Sequence, residues 1–302
     1  MSRTYVEKHC FLCAPGSARE LYPRSFSDSD LSASLFTARR VTEHFHYRVV
    51  RCEGCGLVYS AEILSDEDLQ DLYAESSFVF GEYSSVLRRD YWRPLAGMAA
   101  RLSGASALEV GCSSGFFLDE LLDRGLGRVA GVEPSESARE AASPRVRGTI
   151  RPGLFRGRAS VGDESFDLVC SFHTLDHVSD PIQVLSDCLD VARPGALVYV
   201  VTHDVEALQA KVLGERSPII DIEHVYLFNR STLARTLERA GFCDVRVGRL
   251  LNSYPLDYWA RMVPLPGATK RVLQSGLAAS RLGRLRPAFP AGNIYALGRA
   301  PG

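Results

Sequence analysis

The sequence predicts an α/β protein with a doubly wound parallel sheet, preceded by a small β-rich module. Three observations support this prediction. Apolar strand-like runs alternate with helical patterns from residue 107 onward, as a parallel sheet with helical crossovers requires. A turn of small residues, Gly111 to Gly115, joins the first of these strands to a helix. Two C-x-x-C pairs stand within the first sixty residues, outside the alternating pattern.

The length and charge of the chain limit its organisation and its partners. Its 302 residues exceed a typical single domain, so we expect one large and one small domain. The formal net charge of -1 argues against the broad basic surface that a nucleic-acid-binding protein needs. No apolar run of about 18 residues occurs and the first residues lack a secretion signal, so we expect a cytoplasmic protein without a transmembrane segment.

The module over residues 1–60 contains cysteines at metal-ligand spacing, namely Cys10, Cys13, Cys52 and Cys55. Two such pairs can complete a closed tetrahedral shell of thiolates around a structural zinc ion. Gly56 after the second pair permits the tight turn that follows a thiolate, and this segment resembles the knuckle of zinc ribbons. The expected role of the ion is to fold the module, because a closed site has no position for substrate. A redox dithiol and a chance pairing are the alternatives.

Residues 61–106 are expected to form a helical linker and a cap over the sheet. Ser65 followed by three acidic residues is a helix start. A second helical pattern runs from Ser84 through Leu102, with Pro94 as a kink or a first-turn residue.

The turn after the first strand has the composition of a nucleotide-binding loop. A dinucleotide-binding loop needs a third glycine where Phe116 stands, so a pyrophosphate does not suit this turn. A second strand-like run, Val129 to Val132, ends at Glu133. That spacing from the glycine turn is typical of a carboxylate that accepts the hydroxyls of a ribose.

Glu109, Gly111, Ser113 and Gly115 resemble the E-x-G-x-G-x-G motif of class I S-adenosylmethionine (SAM) methyltransferases, with Ser113 in place of one glycine. The resemblance implies a Rossmann-like seven-stranded sheet over residues 107–302 and SAM as the cofactor. It also implies that a helix before the first strand covers the sheet and the cofactor, with Tyr83 or Tyr91 in contact with SAM. An amphipathic covering helix without a ligand contact is the alternative. The implied cofactor-binding residues are Glu109, Gly111, Cys112, Ser113, Gly115, Phe116, Glu133, Pro134, Phe172, His173 and Thr174.

The remaining elements follow in the order that this fold requires. A helix is expected over Pro134 to Ala142, with the proline in its first turn. The predicted strands three to seven are Val146 to Ile150, Ser165 to Phe172, Leu197 to Val201, Val245 to Leu250, and Ile294 to Leu297. The resemblance implies that the last two pair antiparallel at the sheet edge. Residues 252–292 between them are expected to form a helical insertion.

Histidines supply the candidates for a general base. The segment from His173 to Val178 resembles the H-x-L-E-H-V segment of many small-molecule methyltransferases, with Asp176 in place of glutamate. His177 is the first candidate, followed by His224, which precedes an aromatic run, and His173. A histidine suits this role because its ordinary pKa lies near neutral pH. A histidine buried for packing is the alternative for His224.

The pairing of a four-cysteine ribbon with a class I domain resembles bacterial methyltransferases of deoxysugar and secondary-metabolite pathways. This resemblance implies methyl transfer to a small-molecule acceptor. A zinc-ribbon RNA methyltransferase and a non-catalytic SAM-binding protein are the alternatives.

Overall fold

The computed structural model describes residues 3–13, 16–31, 35, 45–65, 68, 84–262, 267–280 and 282–302. Tyr83 and most of the helix predicted after Ser65 lie outside this set. No helix of the described residues is long and apolar enough to cross a membrane.

The described residues of the N-terminal part form short strands and one 3-10 turn, Asp28–Asp30. The strands are β1 (Tyr5–Glu7), β2 (Ala18–Tyr22), β3 (Val49–Cys52), β4 (Val58–Ser60) and β5 (Glu62–Leu64). Strands β2, β3 and β4 form an antiparallel sheet, while β1 pairs with β5.

Strands and helices alternate in the remainder of the chain. Its first half contains α1 (Ser84–Trp92), α2 (Ala99–Leu102), β6 (Ser106–Val110), α3 (Phe116–Asp123), β7 (Arg128–Glu133), α4 (Glu136–Glu140), β8 (Ile150–Pro152), α5 (Arg158–Val161), β9 (Phe166–Phe172) and α6 (Pro181–Val191). Its second half contains β10 (Ala192–His203), α7 (Leu208–Leu213), β11 (Tyr226–Leu227), α8 (Arg230–Arg239), β12 (Cys243–Asn252), α9 (Leu256–Met262), α10 (Gly267–Ala279) and β13 (Phe289–Arg299).

The large sheet has seven strands in the order β12-β13-β10-β9-β6-β7-β8. Strands β8, β7, β6, β9 and β10 run parallel, and β13 pairs antiparallel with both β10 and β12. Every residue of β6 is buried, because helices cover both faces of the sheet centre. The predicted Rossmann-like seven-stranded fold is therefore confirmed, including the antiparallel pairing at its edge.

Three predicted elements differ in detail from the structure. The helix expected from Ser84 through Leu102 is interrupted by a 3-10 segment, Arg93–Met98, since a proline cannot continue an α-helix hydrogen-bond ladder. Helix α4 begins after Pro134, because the Ser135 side chain caps it by accepting a hydrogen bond from the Ala138 amide. The third strand starts only at Ile150, and the segment before it forms a 3-10 turn, Arg147–Thr149.

A strand from the second half of the chain completes the small N-terminal sheet. Strand β11 pairs antiparallel with β4, with Tyr226 opposite Tyr59. The Ser60 amide also donates to the Val225 carbonyl at 2.8 Å. The four-stranded sheet β11-β4-β3-β2 thus joins the cysteine-bearing segment to the chain that follows the fifth strand of the large sheet.

The expected insertion at 252–292 contains helices α9 and α10 and a 3-10 segment, Leu282–Arg284. Its start is fixed to the covering helix α1. The fully buried Asp90 carboxylate accepts hydrogen bonds from the Ser253 amide at 2.7 Å and the Ser253 hydroxyl at 2.6 Å.

Candidate active site

The loop after β6 is shaped by its glycines. Gly111 has φ of +70°, and a Cβ there would lie 2.3 Å from the Thr174 hydroxyl oxygen. Gly115 has φ of +64°, and a Cβ there would lie 2.9 Å from Ile150. A side chain fits neither position, because the backbone conformation and the surrounding space both exclude one. The intervening Ser113 also has positive φ, of +51°. The loop is therefore tightly packed between the ends of three strands.

Glu133 holds this loop from the end of the neighbouring strand. One carboxylate oxygen accepts from the Ser113 amide at 2.8 Å, and the other accepts from the Ser135 amide at 2.8 Å. Burial raises the pKa of Glu133, while these amides and the nearby Arg139 partly oppose the rise. A carboxylate has about four lone-pair positions, so each oxygen can accept a further hydrogen bond from a ligand hydroxyl.

Three other predicted cofactor residues lie around this edge. Glu109 is buried, and burial together with the charge of Glu133 raises its pKa well above the ordinary value. Its Oε2 atom has no hydrogen-bond partner in the described part of the chain. Cys112 is fully buried, and its sulfur would lie 2.5 Å from a Cβ on Gly131, so it packs against the sheet. The carbonyl of Pro134 accepts from Arg139 at 2.7 Å.

Aromatic rings form one wall beside the loop. The Tyr91 ring lies 4.5 Å from that of Phe172 and 6.1 Å from that of Phe116, measured between ring centroids. His173 lies 6.4 Å from the same tyrosine ring. The covering helix therefore brings Tyr91, one of the two predicted tyrosines, to residues expected to contact the cofactor.

Four histidines and an aspartate gather at the carboxyl ends of β9 and β10. Centroid distances between neighbouring rings are 4.5 Å for His173 and His203, 4.7 Å for His203 and His224, and 4.8 Å for His224 and His177. The fully buried Asp176 carboxylate lies 2.7 Å from Nδ1 of His203. The structure thus brings all three predicted base candidates together. We call these five residues the histidine cluster.

Burial controls the charges of the histidine cluster. It lowers the pKa of His173 to about 3, lowers that of His177, and holds that of His224 well below its ordinary value. Burial would raise the pKa of Asp176, but the His203 hydrogen bond and the neighbouring imidazoles keep it well below its ordinary value. The arrangement therefore favours an ionised Asp176 beside neutral imidazoles at His173, His177 and His224, which can bind a cation or accept a proton.

His203 is not among the site residues that the sequence predicts, and Asp176 is predicted there only as a variant position in a motif. His203 ends the fifth strand, which was predicted to stop at Val201. Residues at the carboxyl end of a parallel strand line the crevice of this fold. A predicted fifth strand that continued to His203 would therefore have indicated this residue as part of the site.

A family model described as a methyltransferase domain matches residues 83–247, more than half of the chain. That span contains the glycine loop, Glu133 and the whole histidine cluster. The chain belongs to the class I SAM-dependent methyltransferases. Its methyl donor is accordingly SAM.

Curated relatives of this methyltransferase match part of their length. A tRNA U34 carboxymethyltransferase of Idiomarina loihiensis is 31% identical over 166 residues, covering 52% of this chain and 51% of that protein. A probable SAM-dependent methyltransferase of Mycolicibacterium smegmatis is 30% identical over 172 residues, covering 56% and 61%. The chain thus spans between half and two thirds of the length of these relatives.

Solved methyltransferase structures are similar at lower identity. A SAM-dependent methyltransferase from Archaeoglobus fulgidus is 17% identical, with a TM-score of 0.49, over 72% of this chain and 97% of that one. The fold of the present methyltransferase is defined by its own strand order and by the family model.

The N-terminal cysteines of the methyltransferase also converge. The ligand atoms of Cys10, Cys13, Cys52 and Cys55 lie within 4.8 Å of one another, and the sulfurs of Cys10 and Cys55 are 3.4 Å apart. Zn-S bonds of about 2.3 Å in a tetrahedron place sulfurs roughly 3.8 Å apart. The four thiols therefore fit the ligand set of a single zinc ion.

Proposed function

We propose that this methyltransferase acts on a small-molecule acceptor held between the glycine loop and the histidine cluster. The observation that carries the proposal is the position of Thr174. Its hydroxyl donates to the Val110 carbonyl at 3.3 Å, beside Gly111, and its chain neighbour His173 belongs to the cluster. Cofactor edge and candidate base are therefore adjacent, as direct methyl transfer requires.

SAM is proposed to bind along the edge formed by β6, β7 and β9. Glu133 is assigned to the ribose hydroxyls, and the loop around Gly111 and Ser113 to the amino-acid end of the cofactor. Phe116, Phe172 and Tyr91 supply apolar surface beside it. Glu109, Cys112, Gly115, Pro134, His173 and Thr174 complete the proposed set, largely by shaping the loop.

The acceptor is proposed to be a sugar or a secondary-metabolite intermediate. His177 is the first candidate for the base that removes its proton, followed by His224 and His173. The support is positional, because these half-buried rings lie together at the carboxyl edge, where the acceptor must approach the sulfonium methyl.

The four cysteines are proposed to hold a structural zinc ion. Their mutual distances suit a closed thiolate shell, and Cys52 and Cys55 flank the turn between β3 and β4. The ion would fix this small sheet and, through β11, the segment that carries His224. We expect the protein to act in the cytoplasm, where thiols stay reduced and available as ligands.

An RNA acceptor is the second candidate, because one relative is named a tRNA U34 carboxymethyltransferase. The near-neutral charge of this chain opposes it. Competition binding with total RNA at several salt concentrations separates the two. Binding that weakens steeply with salt supports an RNA substrate, whereas no binding at low salt supports a small molecule.

Calorimetric titration with SAM tests the cofactor assignment. Replacing Glu133→Gln should weaken SAM binding about 30-fold, since hydrogen bonds to a charged group contribute about 2 kcal/mol. Glu140→Gln on the exposed end of α4 is the matched control and should bind SAM like the parent. An unchanged SAM affinity in Glu133→Gln would refute the assignment of Glu133 to the ribose hydroxyls. SAM binding without turnover on extracts of candidate acceptors would favour a non-catalytic binding protein.

A further inference from the structure

We propose that His173, Asp176 and His203 form a binding site for a divalent first-row transition-metal ion. Each residue offers one ligand atom, and the three atoms lie within 4.8 Å of one another. Two imidazoles and one carboxylate are a ligand set that such ions prefer, whereas Mg²⁺ and Ca²⁺ prefer oxygen alone. This site is separate from the four-cysteine site in the N-terminal module.

The spacing of the ligand atoms is close to what coordination requires. Ligands about 2.1 Å from an ion stand roughly 3 Å apart when adjacent and about 4.2 Å apart when opposite. Nδ1 of His203 and Oδ2 of Asp176 are 2.7 Å apart, near the separation of adjacent ligands. The upper limit of 4.8 Å exceeds the opposite separation by only about half an ångström. The His173 and His203 side chains are only partly buried, so their rings have room for an adjustment of that size while the backbone stays fixed.

Unsatisfied polar atoms in this site call for a ligand. Nδ1 of His173 and Oδ1 of Asp176 are buried, and neither has a hydrogen-bond partner within the described ranges of the chain. Leaving such a group unpaired costs about 1–3 kcal/mol, and more for a charged one. A cation bound to both atoms would satisfy them together.

The backbone around the site is held in place. His173 has φ of +48°, which is unusual for a residue with a side chain, and its amide donates to the Val201 carbonyl at 2.8 Å. The Asp176 carbonyl accepts from the amides of Val225 and Tyr226 at 2.8 and 3.2 Å. A metal site needs ligands fixed in this manner before the ion arrives.

A second set, Asp176, His177 and His224, shares the aspartate. We assign the ion to the first set, because it contains the short His203 contact and the strained His173 backbone. This choice leaves His177 and His224 free to accept a proton. Three protein ligands also leave coordination positions open, unlike the closed cysteine shell.

The consequence for the reaction rests on the proposed function. A bound ion would coordinate the hydroxyl oxygen of the substrate and lower the pKa of that hydroxyl, so that its proton would pass to a neighbouring imidazole. The oxygen then forms a bond to the SAM methyl carbon while the carbon-sulfur bond breaks. S-adenosylhomocysteine leaves, and the acceptor becomes a methyl ether.

Reconstitution of the metal-depleted full chain with Co²⁺ tests the site. Thiolate-bound Co²⁺ shows a sulfur charge-transfer band that a histidine and carboxylate site lacks, so the two sites are distinguished by absorption. The parent protein should take up about two ions per chain, one of each type. His203→Gln and His173→Gln should each reduce this to about one thiolate-bound ion. His177→Gln is the matched control and should retain both.

Uptake of only the thiolate-bound ion by the parent protein would overturn the proposal, whatever the fate of the variants. Loss of the second ion in His177→Gln would overturn this choice of ligands. SAM titration on the same preparations keeps the two proposals separate. Two ions without SAM affinity would refute the proposed function alone, whereas SAM affinity with one ion would refute the metal site alone.

Discussion

The proposed cofactor-binding edge and the histidine cluster lie side by side but are built in different ways. Most of the edge comes from one continuous stretch, Glu109 to Glu133, in which a strand, a turn, a helix and a second strand follow directly, and the end of β9 completes it. The cluster draws its residues from the ends of β9 and β10 and from the segment before β11. The first can therefore be recognised as a motif, whereas the second exists only once the sheet has formed.

The two regions also differ in what supports them. The edge is held within the large sheet by the packing of Gly111 and by the Glu133 hydrogen bonds. The cluster is additionally connected to the N-terminal sheet, since the Ser60 hydroxyl donates to the His224 carbonyl at 3.3 Å. Disturbing the N-terminal sheet should therefore affect methyl transfer more than SAM binding.

Removing the zinc ion proposed at the four cysteines should separate the behaviour of the two regions most strongly. Chelation should unfold the small sheet, because structural zinc contributes about 10 kcal/mol to small metal-folded modules. We expect methyl transfer to fall more than 10-fold, while the SAM dissociation constant changes less than about threefold. Calorimetry and a transfer assay on the same sample measure both. Equal losses of the two would show that the regions are not separable.

Gly111→Ala should damage the edge directly. Its Cβ would collide with Thr174 at a positive φ, so we expect a loss of about 3 kcal/mol in unfolding free energy. Gly153→Ala is the control, because it has φ of +102° but nothing within 4 Å of the added carbon, and should cost about 1 kcal/mol. Urea unfolding measures the difference, and equal losses would contradict the packing argument.

The pH dependence of SAM binding should reveal Glu133. Burial raises its pKa in the folded protein, so protonation begins at a higher pH than for an exposed glutamate. The ionised carboxylate is the better acceptor, and SAM affinity should therefore fall as the pH decreases through that raised pKa. Without ligand, the free energy of unfolding changes in the opposite direction. It increases as the pH decreases, since the folded state binds the proton more tightly than the unfolded state does. Titrations between about pH 8 and pH 5 should show a flatter profile in Glu133→Gln.

Ser60→Ala should give the smallest effect. It removes one hydrogen bond between the N-terminal sheet and the histidine cluster, which contributes about 1 kcal/mol, and we expect a few-fold decrease in methyl transfer with unchanged SAM affinity. Ser25→Ala removes a hydroxyl in the same module that donates to the His46 carbonyl at 3.3 Å and accepts from the His46 amide at 2.8 Å, so it should destabilise the protein at least as much. That control should lower stability without changing transfer. A matching decrease in both variants would point to general destabilisation.

The sequence alone predicts the elements that follow a local pattern. The seven strands, the glycine turn and the cysteine pairs follow from apolar runs, small residues and spacing within short windows. The third strand was displaced, because Val146 to Ile150 is an apolar pattern interrupted by a 3-10 turn. The hydrogen bond between His203 and Asp176 joins the ends of neighbouring strands. The register of β9 against β10 brings the two residues together, and the sequence of neither strand alone predicts that register.

Strand β11 has a consequence for how the protein folds during its synthesis. Synthesis proceeds from the N-terminus, yet Tyr226 and Leu227 are needed as the outer partner of β4. The outer edge of β4 therefore stays unpaired until the ribosome has synthesised the five parallel strands of the large sheet and β11 itself. The cysteine-bearing sheet and the histidine cluster, which needs His224, are therefore completed by the same late segment of the chain.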